Sequence, residues 1–219
     1  MNSTVKIYHE DTANDIAAHL LKINAIKLQP KDPFTWASGW KSPIYCDNRM
    51  ALSYPETRDF LKEKMAAAVK ELYPTVEVIA GVATGAIALG VLVADVLGLP
   101  FVYVRPEPKS HGRKNQVEGH LPKAKKVVVI EDLISTGKSS LLAVEALRKE
   151  SADVLGMLAI FTYEFDTSEE NMRQADCALH TLSSYSYLIS EAQRLSYVKE
   201  EDMETLTSWR QAPSKWLSE

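Results

Sequence analysis

Residues 127–140 read Val-Val-Val-Ile-Glu-Asp-Leu-Ile-Ser-Thr-Gly-Lys-Ser-Ser, and this stretch restricts the fold more than any other. Four consecutive β-branched residues suit a pleated strand. An unbroken apolar run belongs in a sheet covered on both faces rather than one with a wet side. Glu131 and Asp132 follow at the C-terminal end of that strand. A turn of small residues, Ser135-Thr136-Gly137, then leads into a helix predicted over residues 138–149. This order predicts one strand–helix unit of an open parallel sheet, in which ligands bind outside the carboxyl ends of the strands.

The remaining pattern supports that architecture. Short apolar runs at 76–80, 101–104 and 154–161 alternate with helical stretches, as in a parallel sheet with helices on both sides. One helix is predicted over 85–97, closed by Gly98 and Pro100. Another starts at Ser53, where Ser53 and Glu56 have capping-box spacing, and stops before Pro74. The first fifty residues look like an appended hood. A helix over 15–26, with Asn14 as its N-cap, precedes Pro-, Gly- and aromatic-rich text that predicts short strands and turns. The tail adds a strand within 178–188 and one or two helices over 191–216. The expected fold class is α/β, a parallel sheet flanked by helices with a small N-terminal hood. It forms a single domain divided at about 1–52, 53–165 and 166–219.

Composition narrows the classes further. The chain has 219 residues, 46% apolar and 25% charged, enough for one α/β domain with a full core and unlike a disordered chain. Twenty-five basic residues against 29 acidic ones leave a net charge of −4, which argues against general nucleic-acid binding. Two cysteines, Cys46 and Cys177, are too few for a disulfide framework. The longest apolar stretch, 86–99, is broken by Gly90, Asp95 and Gly98 and is too short for a bilayer. The chain opens without a secretory signal pattern. A reducing, soluble, cytoplasmic protein is expected, with neither nucleic acid nor membrane as partner.

The turn at 135–139 carries the chemistry. Backbone N–H groups of a Ser-Thr-Gly turn converge on a phosphate, and the helix dipole favours negative charge there. Two carboxylates just before it suit a ligand with adjacent hydroxyls beside its phosphate, such as a ribose 5-phosphate. Gly137-Lys138-Ser139 ends like a P-loop, but that motif needs a glycine where Asp132 stands. An ordinary strand–turn–helix junction explains the Ser and Thr, and explains poorly two acids directly after four apolar residues. Residues 81–85, Gly-Val-Ala-Thr-Gly, form a second Gly-flanked turn entering a helix, suited to an oxyanion or simply a connection. Residues 105–119 carry Arg105, Lys109, His111, Arg113 and Lys114. They read either as a solvated polar loop or as a lid, and loops of this length in compact domains tend to be functional. His9, His120 and His180 match no metal-ligand spacing. The four tryptophans, Trp36, Trp40, Trp209 and Trp216, read as packing residues.

The apolar strand, acidic pair and Ser-Thr-Gly turn resemble the signature of the type I phosphoribosyltransferases, enzymes that use 5-phosphoribosyl 1-diphosphate (PRPP). Phe34-Thr35-Trp36 with Ser38-Gly39, residues 41–49 (Lys-Ser-Pro-Ile-Tyr-Cys-Asp-Asn-Arg), Tyr103-Val104-Arg105 and Pro108-Lys109-Ser110-His111-Gly112 narrow the resemblance to the orotate phosphoribosyltransferase family. The similarity runs over about 34–162.

The resemblance implies transfer of the phosphoribosyl group of PRPP to orotate, with Mg²⁺ carried by PRPP rather than bound directly by the protein. It implies a homodimer whose lid reaches the partner's site. PRPP is expected to meet Arg105, Lys109, His111, Glu131, Asp132, Leu133, Ile134, Ser135, Thr136, Gly137, Lys138 and Ser139, with Lys109 and His111 catalytic. Glu131 and Asp132 would face the ribose hydroxyls, and Ser135 and Arg49 would meet orotate. Arg49 reads equally as a salt bridge to a nearby acid, and Lys138 either meets phosphate or points to solvent. The chain departs from some relatives at Pro106 and Ala37, where they carry lysines, and at residues 162–164, where they place an arginine. A phosphoribosyltransferase for another nucleobase, or a PRPP-sensing regulator without catalysis, is the alternative.

Overall fold

Val127 and Val129 turn one way from their strand and Val128 and Ile130 the other, and all four are fully buried. Side chains alternate across a strand, so this one segment feeds an apolar layer on each face. In the computed structural model, which describes residues 4–36, 38–107 and 115–217, that segment lies at the centre of a seven-stranded sheet.

The elements run β1 (Val5–Ile7), α1 (Glu10–Lys22), β2 (Ile26–Leu28), β3 (Phe34–Thr35), β4 (Lys41–Ser42), β5 (Ile44–Cys46), α2 (Pro55–Leu72), β6 (Val78–Val82), α3 (Ile87–Leu97), β7 (Phe101–Val104) and β8 (Val117–Glu118). They continue with β9 (Lys126–Ile134), α4 (Lys138–Lys149), β10 (Asp153–Thr162), α5 (Asp166–Gln174), β11 (Leu179–Ser184), α6 (Tyr185–Arg194) and α7 (Met203–Gln211). Short 3-10 turns occupy Asn48–Ser53 and Glu200–Asp202.

The sheet order is β1-β11-β10-β9-β6-β7-β8, parallel throughout except for β8, which returns antiparallel on β7. Ile16 and Leu20 of α1, Leu61 and Met65 of α2, Val93 of α3, Leu188 of α6 and Trp209 of α7 pack on one face. Leu141, Val144 and Leu147 of α4 and Met172 of α5 cover the other. Two antiparallel pairs, β2 with β5 and β3 with β4, stand apart from the sheet. No helix among the described residues is long and apolar enough to cross a membrane.

The expected α/β class holds, while several boundaries move for identifiable reasons. α1 starts at Glu10 with His9 as N-cap, not at 15 behind Asn14. Glu10 and Asp11 suit the positive end of the helix, and the small buried Thr12 and Ala13 extend its inner face. Ile26, expected at that helix's end, begins β2. The capping box at Ser53 does not form; Ser53 closes the 3-10 turn and Pro55 takes the first helical position of α2, where its missing N–H costs nothing. β9 runs on to Ile134, so Glu131 and Asp132 lie within the strand rather than after it. The expected hood is narrower than residues 1–52, because β1 joins the main sheet beside β11 and α1 joins the core. At that outer edge the Glu169 carboxylate accepts hydrogen bonds from the N–H groups of Thr4 and Val5.

Leu158 on β10 is fully buried between β9 and β11. Leu158→Ala is expected to lower unfolding free energy by about 2–5 kcal/mol, read from the midpoint of urea unfolding at constant slope.

Candidate active site

The acidic pair divides its labour by the pleat of β9. Glu131 is 5% exposed. Its Oε2 accepts the Ser140 hydroxyl at 2.7 Å, and its Oε1 accepts the Asp132 N–H at 2.9 Å. Burial first, and then the hydrogen bond and charge of the adjoining Asp132 carboxyl, push Glu131 well above the usual carboxylate range. Half-buried Asp132 sits against the β6–α3 turn. A Cβ on Gly85 would fall inside the Asp132 carboxylate, so only glycine lets that turn approach so closely. The Asp132 carbonyl accepts the Asn48 side-chain N–H at 2.7 Å, which ties β9 to the 3-10 turn.

Asp132 lines a cleft of about 460 Å³ together with Glu131, Leu133, Ser139, residues 82–85, Asp47 and Pro106. The cleft opens at the carboxyl ends of β6, β7 and β9. At its back, residues 135–137 turn into α4. Gly137, with φ of 76°, occupies the left-handed region at the N-cap, and a Cβ there would also strike Met172. No side chain caps α4, and the first N–H groups of a helix have no intrahelical acceptor. The Thr136 carbonyl accepts the Asn171 amide at 2.8 Å, fixing the turn from α5. Ser139 and Lys138 are both exposed at the start of α4.

A second cleft, about 280 Å³, is bounded by Thr35, Trp36, Tyr45, Cys46, Leu133, Ser135 and Tyr163. It shares Cys46 and Leu133 with the first, so the two adjoin. Trp36 and Tyr163 lie 5.2 Å apart between ring centroids, and the Trp36 indole donates to the Ile44 carbonyl at 3.0 Å. Trp36 therefore both packs and faces the cleft, more than the packing role expected. Burial, with the Asp132 and Asp47 charges, pushes the Cys46 thiol up and keeps it neutral.

Arg49 lines the acidic cleft, not the aromatic one. Its guanidinium grips Asp47 with two hydrogen bonds of 2.7 and 2.9 Å and holds that acid below the usual carboxylate range. This supports the salt-bridge reading. Arg105 follows β7, 3.5 Å from Glu118 of β8, with its backbone N–H donating to the Gln116 carbonyl. Lys109 and His111, like Ala37, lie outside the described residues. Asn48, Asn171 and Ser140 went unread in the sequence. Ser140 adjoins the turn that was read and Asn48 lies inside a quoted motif, whereas Asn171 carries no sequence signal.

Comparison with known proteins agrees with this geometry. A family model described as "Phosphoribosyl transferase domain" matches residues 57–181. The chain is 56% identical over 201 residues to an orotate phosphoribosyltransferase of Porphyromonas gingivalis, covering 92% of this chain and 96% of that one. It is 50% identical over 204 residues to that of Streptococcus pneumoniae, covering 93% and 97%. The crystal structure of orotate phosphoribosyltransferase from Aeropyrum pernix superposes with a TM-score of 0.72 at 27% identity, over 84% of this chain and 99% of that one.

The raised Glu131 gives a pH signature. The folded state keeps this proton where an unfolded glutamate has lost it, so the stabilisation is present in acid and declines as pH rises above the ordinary value of 4.5. Glu131→Gln keeps the shape and can donate to Asp132. It is expected to flatten the fall in unfolding free energy between acid and neutral pH, measured by denaturant titration. An identical slope in the variant would remove Glu131 as its source.

Proposed function

The chain belongs to the orotate phosphoribosyltransferase family, and we propose how its two adjoining clefts divide the chemistry. The reaction moves the phosphoribosyl group of PRPP to N1 of orotate, giving orotidine 5′-monophosphate and diphosphate in pyrimidine nucleotide synthesis. The observation that carries the division is the contact of an acidic cleft, which takes Ser139 from the start of α4, with an aromatic cleft that takes Ser135 from the turn before that helix.

In this reading the N–H groups and hydroxyls of Ser135, Thr136, Gly137 and Ser139 hold the 5-phosphate, with Leu133 and Ile134 forming the strand end beneath it. Asp132 meets the ribose hydroxyls. Glu131, already bonded to Ser140 and the Asp132 backbone, fixes Asp132 and the first turn of α4. Orotate lies in the cleft lined by Trp36 and Tyr163, against these touching rings and within reach of Ser135. The turn at 82–85 and Arg105 face the diphosphate side.

Breaking the C1–diphosphate bond leaves positive charge on the sugar and a highly anionic leaving group. The demand is for positioning and neutralisation more than for a protein nucleophile. Lys109 and His111 are proposed to supply that neutralisation from the lid, whose closure excludes water. The oxygen-rich cleft around Asp132 suits a hard cation. Mg²⁺ is proposed to arrive on PRPP oxygens with Asp132 beside it, and when bound it offsets diphosphate charge. A homodimer is proposed on the family resemblance of the lid. The free cysteines Cys46 and Cys177 support a reducing, cytoplasmic setting.

Diphosphate release from PRPP is expected with orotate and not with uracil or adenine; release with adenine alone would overturn the reading. Lys109→Ala is expected to lower turnover by about 10²-fold or more, the scale of one lost electrostatic donor, and unchanged turnover at saturating substrate would remove it from the mechanism. Asp132→Asn is expected to weaken PRPP binding in calorimetry with the fold intact, and equal affinity would contradict the ribose assignment.

A further inference from the structure

The rings that bound the aromatic cleft are backed from the far end of the chain. Trp209 of α7 is fully buried, and its indole N–H donates to the Lys41 carbonyl of β4 at 3.2 Å. A buried indole needs such an acceptor, so the bond fixes both the ring and the strand. Edge-on, Trp209 meets Trp36 at 5.6 Å and Tyr163 at 5.8 Å between centroids, two rings that touch each other and together line the cleft. Phe165 at 5.6 Å and Tyr185 at 5.3 Å complete its surroundings.

Three further ties hold this segment in register. Arg210 donates to the Glu164 carbonyl at 3.0 Å, and the Tyr185 hydroxyl donates to the Leu206 carbonyl at 2.9 Å. Lys31 pairs with Glu201 at 2.6 Å. No residue of α7 lines the aromatic cleft. The acidic cleft is built on β6, β9 and the start of α4, none of which Trp209 touches through these contacts.

We infer that α7 is a buttress for the nucleobase subsite and that Trp209 is its positioning residue, setting the separation of Trp36 and Tyr163 through ring contacts and the Lys41 carbonyl. The inference rests on the aromatic cleft being the orotate subsite. Purely structural packing would weaken the whole fold and both substrates together. A buttress moves one substrate and spares the other.

The test is steady-state kinetics of the full chain with each substrate varied in turn. Trp209→Leu is expected to raise the KM for orotate about tenfold, the scale of one or two lost aromatic pairs, with the KM for PRPP within about twofold. Trp209→Phe keeps an aromatic ring while losing the N–H donor and the indole's second ring; with its fold checked by denaturant unfolding, it is expected to raise the orotate KM about threefold, a loss on the scale of one hydrogen bond. Trp36→Leu combined with Trp209→Leu is expected to cost less than the product of the single effects, as residues acting through one another are non-additive. Parallel rises in both KM values, an unchanged orotate KM, or strictly multiplicative effects would overturn the inference. Failure of the functional reading would look different: the unaltered chain would show no orotate turnover at all.

Discussion

A buried carboxyl group joins the end of β9 to the first turn of α4, and the site hangs from it. Glu131 takes the Ser140 hydroxyl on one oxygen and the backbone N–H of its own neighbour on the other. A buried acid with these partners is costly to leave unpaired, so strand and helix are locked in one relation. That relation decides where the Ser-Thr-Gly turn points and which way Asp132 faces. Asn48 and Asn171 reinforce it from either side, one on the Asp132 carbonyl and the other on that of Thr136. The Ser-Thr-Gly turn is therefore held by polar contacts from elements distant in the chain, and its shape does not wait for a ligand.

Two kinds of surface meet at this point. On one side lie carboxylates, a hydroxyl and the start of α4, the place proposed for the sugar. On the other lie indole and phenol rings with a neutral thiol, the place proposed for the heterocycle. Leu133 and Cys46 belong to both, so the scissile bond of a bound donor would fall at their seam. Preorganisation of this sort lets binding of both reactants be converted into alignment.

How much of this was legible depended on how local the signal is. β7 and α4 fall where the apolar runs and turn residues put them, since each is bounded by its own punctuation. α5 was silent, because Ser168 and Met172 are its only buried residues and one large apolar side chain makes no period. β8 is two residues long and exists by pairing with β7. At the site, residue types announced the turn into α4 and the acidic pair before it. The different fates of Glu131 and Asp132 were hidden, because they follow from the pleat and from Ser140 rather than from composition. Trp36 showed the same limit: an aromatic in a turn-rich stretch reads as packing until the fold reveals a cavity on its free side.

The capped outer edge of the sheet has a consequence beyond the single molecule. At β1 the Glu169 carboxylate engages the N–H groups of Thr4 and Val5, and at the opposite border β8 offers only two residues. Among the described residues, neither border presents a long, vacant ladder onto which a neighbour's backbone could zip, the route by which sheets grow into fibrils. Growth of this sheet edge to edge into a polymer is thereby disfavoured.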